Sequence, residues 1–242
     1  VPALYDEYLG MHNSTSGFAK RVKFLVASLV LLVPLLAQTP IKIAIAGDST
    51  VADYPGNPNQ AGWGQFLPEY FNSSVHIYNL AKNGRSTKTF LNEGLWAKVL
   101  ALKPDFVLIQ FGHNDSHDPK QPEATSAARD YPNYLSQFVD EARAAGAIPI
   151  LVTPVQRRTK VDTLIPYVDA MRKVADEKHV PLIDLHASSG ELYRKLGPAA
   201  VIELQANGTD QTHFSLKGAR EIAALVMRDL PHVDPRLQQN LR

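Results

Sequence analysis

After Pro40 the chain alternates between two textures of apolar and polar positions. Residues 41–46 form a short apolar run stopped by Gly47, and residues 75–80 form a second. Residues 105–111 are a third, nearly continuous in apolar character, followed by 147–152 and 181–185. Runs this apolar are expected where both faces of a strand are covered, as in parallel sheets. Between them the apolar positions recur at helical spacing. Leu135, Phe138, Val139 and Ala142 make one stripe within about 125–145, and Tyr167, Met171 and Val174 another within about 164–178. Leu95, Trp96, Val99 and Leu100 mark a helical stretch with Trp96 turned to the core. The last helix is the clearest: Ser215 is a natural N-cap, Ile222, Leu225, Val226 and Leu230 share a face, and Pro231 ends it. Strands alternating with helices predict a doubly wound α/β sheet of about five parallel strands. Residues 40–232 contain no repeat, low-complexity stretch or linker and read as one domain.

The segment before Pro40 has a different grammar. Lys20, Arg21 and Lys23 precede an apolar stretch over 24–37, interrupted only by Ser28 and Pro34. A basic patch, a short apolar run and a small residue, here Ala37, have the grammar of a secretory signal, although Leu35 two positions earlier is not small. The stretch is too short for a bilayer-spanning helix of about 20 residues. Residues 1–37 are therefore expected to be a leader with a signal peptide and no permanent membrane span, and the product to be secreted or periplasmic. Met11, just ahead of the basic patch, is the expected translation start. The competing reading is a buried N-terminal helix.

Composition narrows the chemistry. The 25 Lys+Arg against 24 Asp+Glu leave a formal charge of +1, so no broad footprint for nucleic acid exists. A hydrophobic share of 45% in 242 residues suffices for a real core and excludes disorder as the main character. Cysteine is absent, which removes disulfide scaffolds, Cys-ligated zinc, iron–sulfur clusters, thiol nucleophiles and a lipid-anchoring lipobox.

In doubly wound sheets ligands sit beyond the carboxyl ends of the strands. Polar residues cluster there: Gly47-Asp48-Ser49-Thr50 after the first strand, Asn83-Gly84-Arg85-Ser86 after the second, Gly112-His113-Asn114-Asp115 after the third, and Asp210-Gln211-Thr212-His213 before the last helix. Singly, each is an ordinary turn or helix entry. Converging on one sheet edge, they suit acyl transfer. Ser49 would be the nucleophile, His213 the base that takes its proton, and Asp210 the group that fixes the imidazole. The N–H groups of Ser49 and Gly84 and the Asn114 amide would meet the oxyanion. No cofactor and no metal is called for.

These blocks resemble the GDSL/SGNH hydrolase superfamily through Ser49, Gly84, Asn114 and His213, over about residues 41–230. Position 50 is Thr where the superfamily name has Leu. Gly47-Asp48-Ser49-Thr50-Val51-Ala52, Gly62-Trp63-Gly64, Gly84-Arg85-Ser86-Thr87 and Gly112-His113-Asn114-Asp115 are similar to its rhamnogalacturonan acetylesterase branch. The resemblance implies a three-layer, flavodoxin-like α/β/α sandwich, and removal of acetyl groups from a plant cell-wall polysaccharide or oligosaccharide such as pectin. A monomer is expected. Trp63, Arg85 and His113 are candidates for contacting the sugar, Trp63 and Tyr54 by stacking and Arg85 by pairing with a uronate.

Two rivals belong to other classes. A metal-dependent phosphoesterase could draw ligands from Asp48, Asn114, Asp115, His117 and His213. A non-catalytic carbohydrate-binding protein would keep its function without Ser49. Neither G-x-G-x-x-G nor a Walker loop follows the first strand, and Ser49 lacks the flanking glycines of G-x-S-x-G.

Overall fold

The computed structural model describes residues 39–242. The leader expected over 1–37 lies outside the described residues. Five strands, β1 (Ile41–Gly47), β2 (Val75–Asn79), β3 (Phe106–Gln110), β4 (Ile148–Val152) and β5 (Leu182–Ile183), form an all-parallel sheet in the order β2-β1-β3-β4-β5. That is the flavodoxin-like strand order, and its topological switch falls beside β1. Each strand stands within a few residues of its predicted run.

Strand periodicity sorts the core into two layers. Ile43, Ile45, Phe106, Leu108, Ile150 and Val152 face one side, against a 3-10 helix at Trp63–Tyr70 and helix α6 (Leu216–Asp229). Ala44, Ala46, Val107, Ile109 and Leu151 face the other. There they meet α1 (Thr87–Asn92), α2 (Leu95–Ala101), α3 (Asp130–Ala144) and α4 (Ile165–Lys178). Both faces of β3 and β4 and most of β1 are covered, so these central strands carry no polar stripe, whereas edge strand β2 exposes His76.

Four features differ from the sequence reading. Helix α3 starts at Asp130, not near 125, because Thr125 is tied back to Asp115 through its N–H and hydroxyl (3.0 and 2.9 Å). Helix α5 (Leu185–Ile202) was not foreseen, since its buried positions include Ser188 and Ser189 and it is kinked at Gly197 (φ +76°) before Pro198. The 3-10 helix at Trp63–Tyr70 is likewise absent from the sequence reading, and it contains Pro68. The packed unit also runs past 232 to the end of the chain. Leu237 of α7 (Pro235–Gln239) is fully buried, and the Arg242 N–H donates to the Tyr70 carbonyl (3.0 Å).

Candidate active site

The register places Gly47 beside Gln110, so the loops leaving β1 and β3 start side by side. Asp48 follows at once, with neither of its oxygens exposed. Its Oδ1 accepts from the Thr50 N–H (2.9 Å) and hydroxyl (2.7 Å), closing the tight turn that carries Ser49. A buried series extends from it: Gln110 Nε2 donates to Thr50 Oγ1 (2.7 Å), and Trp63 Nε1 donates to Gln110 Oε1 (2.8 Å). The Tyr54 hydroxyl donates to the Ser49 carbonyl (3.0 Å), and burial pushes its pKa up to about 12. Ser49 is thus held from both sides, and its side chain is still reachable at 8% exposure.

His113 lies beneath, its Nδ1 3.4 Å from the free Oδ2 of Asp48, with neither atom hydrogen-bonded. Burial works against charge on Asp48, but His113 and the Thr50 donors outweigh it and hold the carboxyl below the usual range.

The second and third loops are tied to each other. Gly84 has φ +75°, and a Cβ there would meet nothing within 4 Å, so glycine is required by conformation and leaves the approach open. Ser86 then caps α1 reciprocally with Thr89, fixing where Gly84 and Arg85 sit. Asn114 Nδ2 donates to the Arg85 carbonyl (3.0 Å). The N–H groups of Ser49 and Gly84 donate to no other described residue. Asp115 anchors both loops from below: its carboxylate accepts from the Thr87 hydroxyl (2.5 Å), the Thr87 N–H (3.2 Å) and the Thr125 hydroxyl (2.9 Å). Burial pushes its pKa up to about 7 in spite of those donors.

The fourth loop supplies the imidazole. Phe214, fully buried and bridged to Ala61 and Gln205, pins the chain just before Ser215 caps α6. His213 Nε2 then lies 2.9 Å from Ser49 Oγ, and its Nδ1 lies 2.9 Å from Asp210 Oδ2. The other oxygen of Asp210 accepts from the Thr212 and His213 N–H groups (both 2.8 Å). Partial burial would raise the Asp210 pKa, but those two N–H groups and the imidazole overcome it and hold the carboxylate low. With Nδ1–H turned to Asp210, the other ring nitrogen is an acceptor facing the serine hydroxyl.

Sequence position alone had not marked Arg158. Its guanidinium donates to the His213 carbonyl (2.7 Å) and the Asp210 carbonyl (3.3 Å) and lies 4.6 Å from the centre of the Phe214 ring. Beside Arg157 in a loop it reads as solvated charge. Gln110, by contrast, carried a signal: it is a polar residue inside an otherwise apolar strand.

The three expected sugar contacts sit as follows. Trp63 is fully buried with its indole N–H on Gln110, so it is a core residue and not a stacking platform. Arg85 turns its guanidinium to Glu93 (2.9 Å) and the Asn83 carbonyl (2.8 Å). His113 is only 3% exposed and faces Asp48. The five residues of the metal reading do not form one ligand set either. Asp115 is engaged by Thr87 and Thr125, and His117 pairs with Glu123 (2.6 Å). Among the described residues no three His, Asp or Glu side chains gather as a metal site would need.

A parallel α/β sandwich bearing a serine, an imidazole and a carboxylate in hydrogen-bonded order at its strand ends has the geometry of a serine acyl hydrolase, and the relatives make that class the carboxylic ester hydrolases. The chain belongs to the GDSL-like lipase/acylhydrolase family, whose model matches residues 45–221. It is 38% identical over 227 residues to the rhamnogalacturonan acetylesterase RhgT of Bacillus subtilis (strain 168), covering 85% of this chain and 96% of that one. It is 36% identical to the probable rhamnogalacturonan acetylesterase YesY of the same organism, over 82% of this chain and 96% of that one. Among solved structures, protein YXIM of Bacillus subtilis superposes with a TM-score of 0.71 at 29% identity, across 80% of this chain and 57% of that one. An acetylxylan esterase from Geobacillus stearothermophilus shares the fold with a TM-score of 0.64 at 20% identity, across 78% of this chain and 94% of that one.

Proposed function

We propose that the chain removes O-acetyl groups from a carbohydrate, and that the substrate is an acetylated rhamnogalacturonan. The observation that carries the chemistry is the 2.9 Å approach of His213 Nε2 to Ser49 Oγ, with Asp210 on the far ring nitrogen. The two acetylesterase relatives, matched along nearly their whole length, support the acyl group and the polymer.

In this mechanism Ser49 Oγ attacks the acetyl carbonyl as its proton passes to His213 Nε2. Asp210 stabilises the imidazolium that results and keeps the ring in register. The oxygen that becomes negative is met by the Ser49 and Gly84 N–H groups and by Asn114 Nδ2, whose second hydrogen is left over after the bond to Arg85. Collapse breaks the bond to the sugar oxygen, which takes the proton from His213. Water then attacks the acetyl-serine by the same route, its proton going to Nε2 and on to Ser49 Oγ, and acetate leaves. The leader read over residues 1–37 fits action on a polymer outside the cell.

Acetate release from a panel of acetylated rhamnogalacturonan, xylan and aryl acetate, run beside Ser49→Ala, tests this. Acetate from the pectic polymer, abolished in Ser49→Ala, is expected. Hydrolysis of aryl acetate alone would remove the polysaccharide assignment. Release unchanged in Ser49→Ala would remove the mechanism, and no release from any of the three substrates would leave the carbohydrate-binding reading.

A further inference from the structure

A cavity of about 370 Å³ lies beside the fourth loop, between the segment that leaves β4 and helix α5. That is within the range of about 300–1,000 Å³ typical of small-ligand clefts. Its lining includes three arginines, Arg157, Arg158 and Arg194, together with Tyr193, and no acidic residue.

The three arginines differ from most others on the molecule. Arg85, Arg172, Arg220, Arg228 and Arg236 each contact an acidic side chain. Arg157 instead donates to the His113 carbonyl (2.8 Å) and the Thr163 hydroxyl (2.9 Å). Arg158 donates to the Asp210 and His213 carbonyls and, at 3.4 Å, to the Tyr193 hydroxyl, and its Nε is buried with no partner. Nearby carboxylates are already matched. Glu191 sits 2.8 Å from Lys195, and Asp162 sits 2.7 Å from His186. Three arginines therefore line one concave surface and none of them is in a salt bridge with an acidic side chain among the described residues, and one of the three is also the clamp on the Asp210–His213 loop.

We infer that this cavity is a carboxylate subsite, and that its occupant is a uronate of the polysaccharide backbone. The inference rests on the function proposed above. It deepens that reading by naming a charge on the same polymer that the enzyme recognises. A guanidinium presents two parallel N–H groups that match a carboxylate, and the Tyr193 ring offers a face for the pyranose. Burial holds the Arg157 guanidinium below its ordinary range, partly countered by Asp48 and Asp162, and a bound anion would relieve that cost further. The role that sequence offered to Arg85, whose charge is engaged by Glu93, passes to these residues.

Calorimetric titration with an ester-free rhamnogalacturonan tetrasaccharide, and with its carboxyl-reduced neutral counterpart, tests the assignment. Neither ligand can be deacetylated, so the result is independent of acetate release. The native protein should bind the acidic form at least about tenfold more tightly than the neutral one, a preference that shrinks as salt rises. Arg194→Glu, at an exposed position where the fold has little at stake, should bring the two affinities within about twofold of each other. Equal affinities in the native protein would overturn the subsite, as would a preference that Arg194→Glu leaves untouched. Acetate is titrated alongside as the rival carboxylate. Displacement of the tetrasaccharide by millimolar acetate would overturn the uronate assignment.

Discussion

The two halves of the site are built by different means. Ser49 and the groups around it leave strand ends whose positions the sheet dictates, and the residues beneath them are buried: Asp48, Thr50 and Gln110 have no exposure at all. His213 and Asp210 sit in a loop, with side chains 33% and 22% exposed, and their backbone carbonyls are gripped by a guanidinium. One half is rigid through packing and the other through a few directed hydrogen bonds. The difference teaches where precision comes from. A nucleophile on a strand end inherits the order of the sheet, while a base on a loop needs an anchor on each side, here buried Phe214 and Arg158.

The largest effect should come from breaking the link between the halves. If Ser49 and His213 act as one unit, removing either disables the other. Ser49→Ala should lower kcat on an aryl acetate by about 10⁶-fold, and Ser49→Ala with His213→Ala should cost no more, as in serine hydrolases where triad members act together. Steady-state rates of Ser49→Ala, His213→Ala and the double variant decide it. Losses that multiply in the double variant would mean that the halves act independently. Next in size is Asp210→Asn, which keeps the loop's shape and removes the charge that fixes the tautomer. It should lower kcat by about 10⁴-fold with little change in thermal stability. A loss below about tenfold would show that the imidazole is oriented by its backbone alone.

The two halves were also unequally legible in the sequence. The Asp-x-x-His spacing ahead of a strong N-cap at Ser215 was local information, and so was each strand end, because apolar runs name the strands and parallel sheets put polar residues at their ends. What could not be read was which polar groups face inward. Trp63 looked like a platform and is core, because its indole N–H finds Gln110 across the sheet, a contact 47 positions distant in sequence. Arg158 was invisible for the same reason: its partners lie 52 and 55 positions downstream. Helix α5 escaped because its inward face begins with Leu185 but continues with serines, so no apolar stripe announced it.

The strand-end half should prove divisible, unlike the triad. On the proposed mechanism Asn114 meets the oxyanion with the amide hydrogen that the bond to Arg85 leaves over, so Asn114→Ala should remove one donor and leave Ser49 and His213 in place. Loss of one oxyanion donor costs about 10²–10³ in kcat, and KM for a small ester should change little because the charge exists only in the transition state. A rise in KM with kcat preserved would instead make Asn114 a ground-state contact.

The smallest effect sharpens the contrast within the rigid half, which buries two carboxyls under different conditions. Asp48 has an imidazole beside it and is held low, whereas Asp115 has only hydroxyl and N–H donors and is pushed up to about 7. The two therefore push stability in opposite directions with pH. For Asp115 the folded state retains a proton that the unfolded state, with a value near 3.8, gives up. Its contribution is fully present below the unfolded value and fades as pH rises to about 7. Asp115→Asn cannot lose a proton, though its amide is a poorer acceptor for Thr87 and Thr125 and imposes a penalty at every pH. The diagnostic is thus the slope and not the offset. Between pH 5 and 8 the variant's Tm should gain on the native protein's by a few degrees, given about 2–4 °C per kcal/mol for a domain of this size. Parallel melting curves across that range would mean that Asp115 is ionised throughout, with Thr87 and Thr125 sufficient to hold its charge in the absence of any cation.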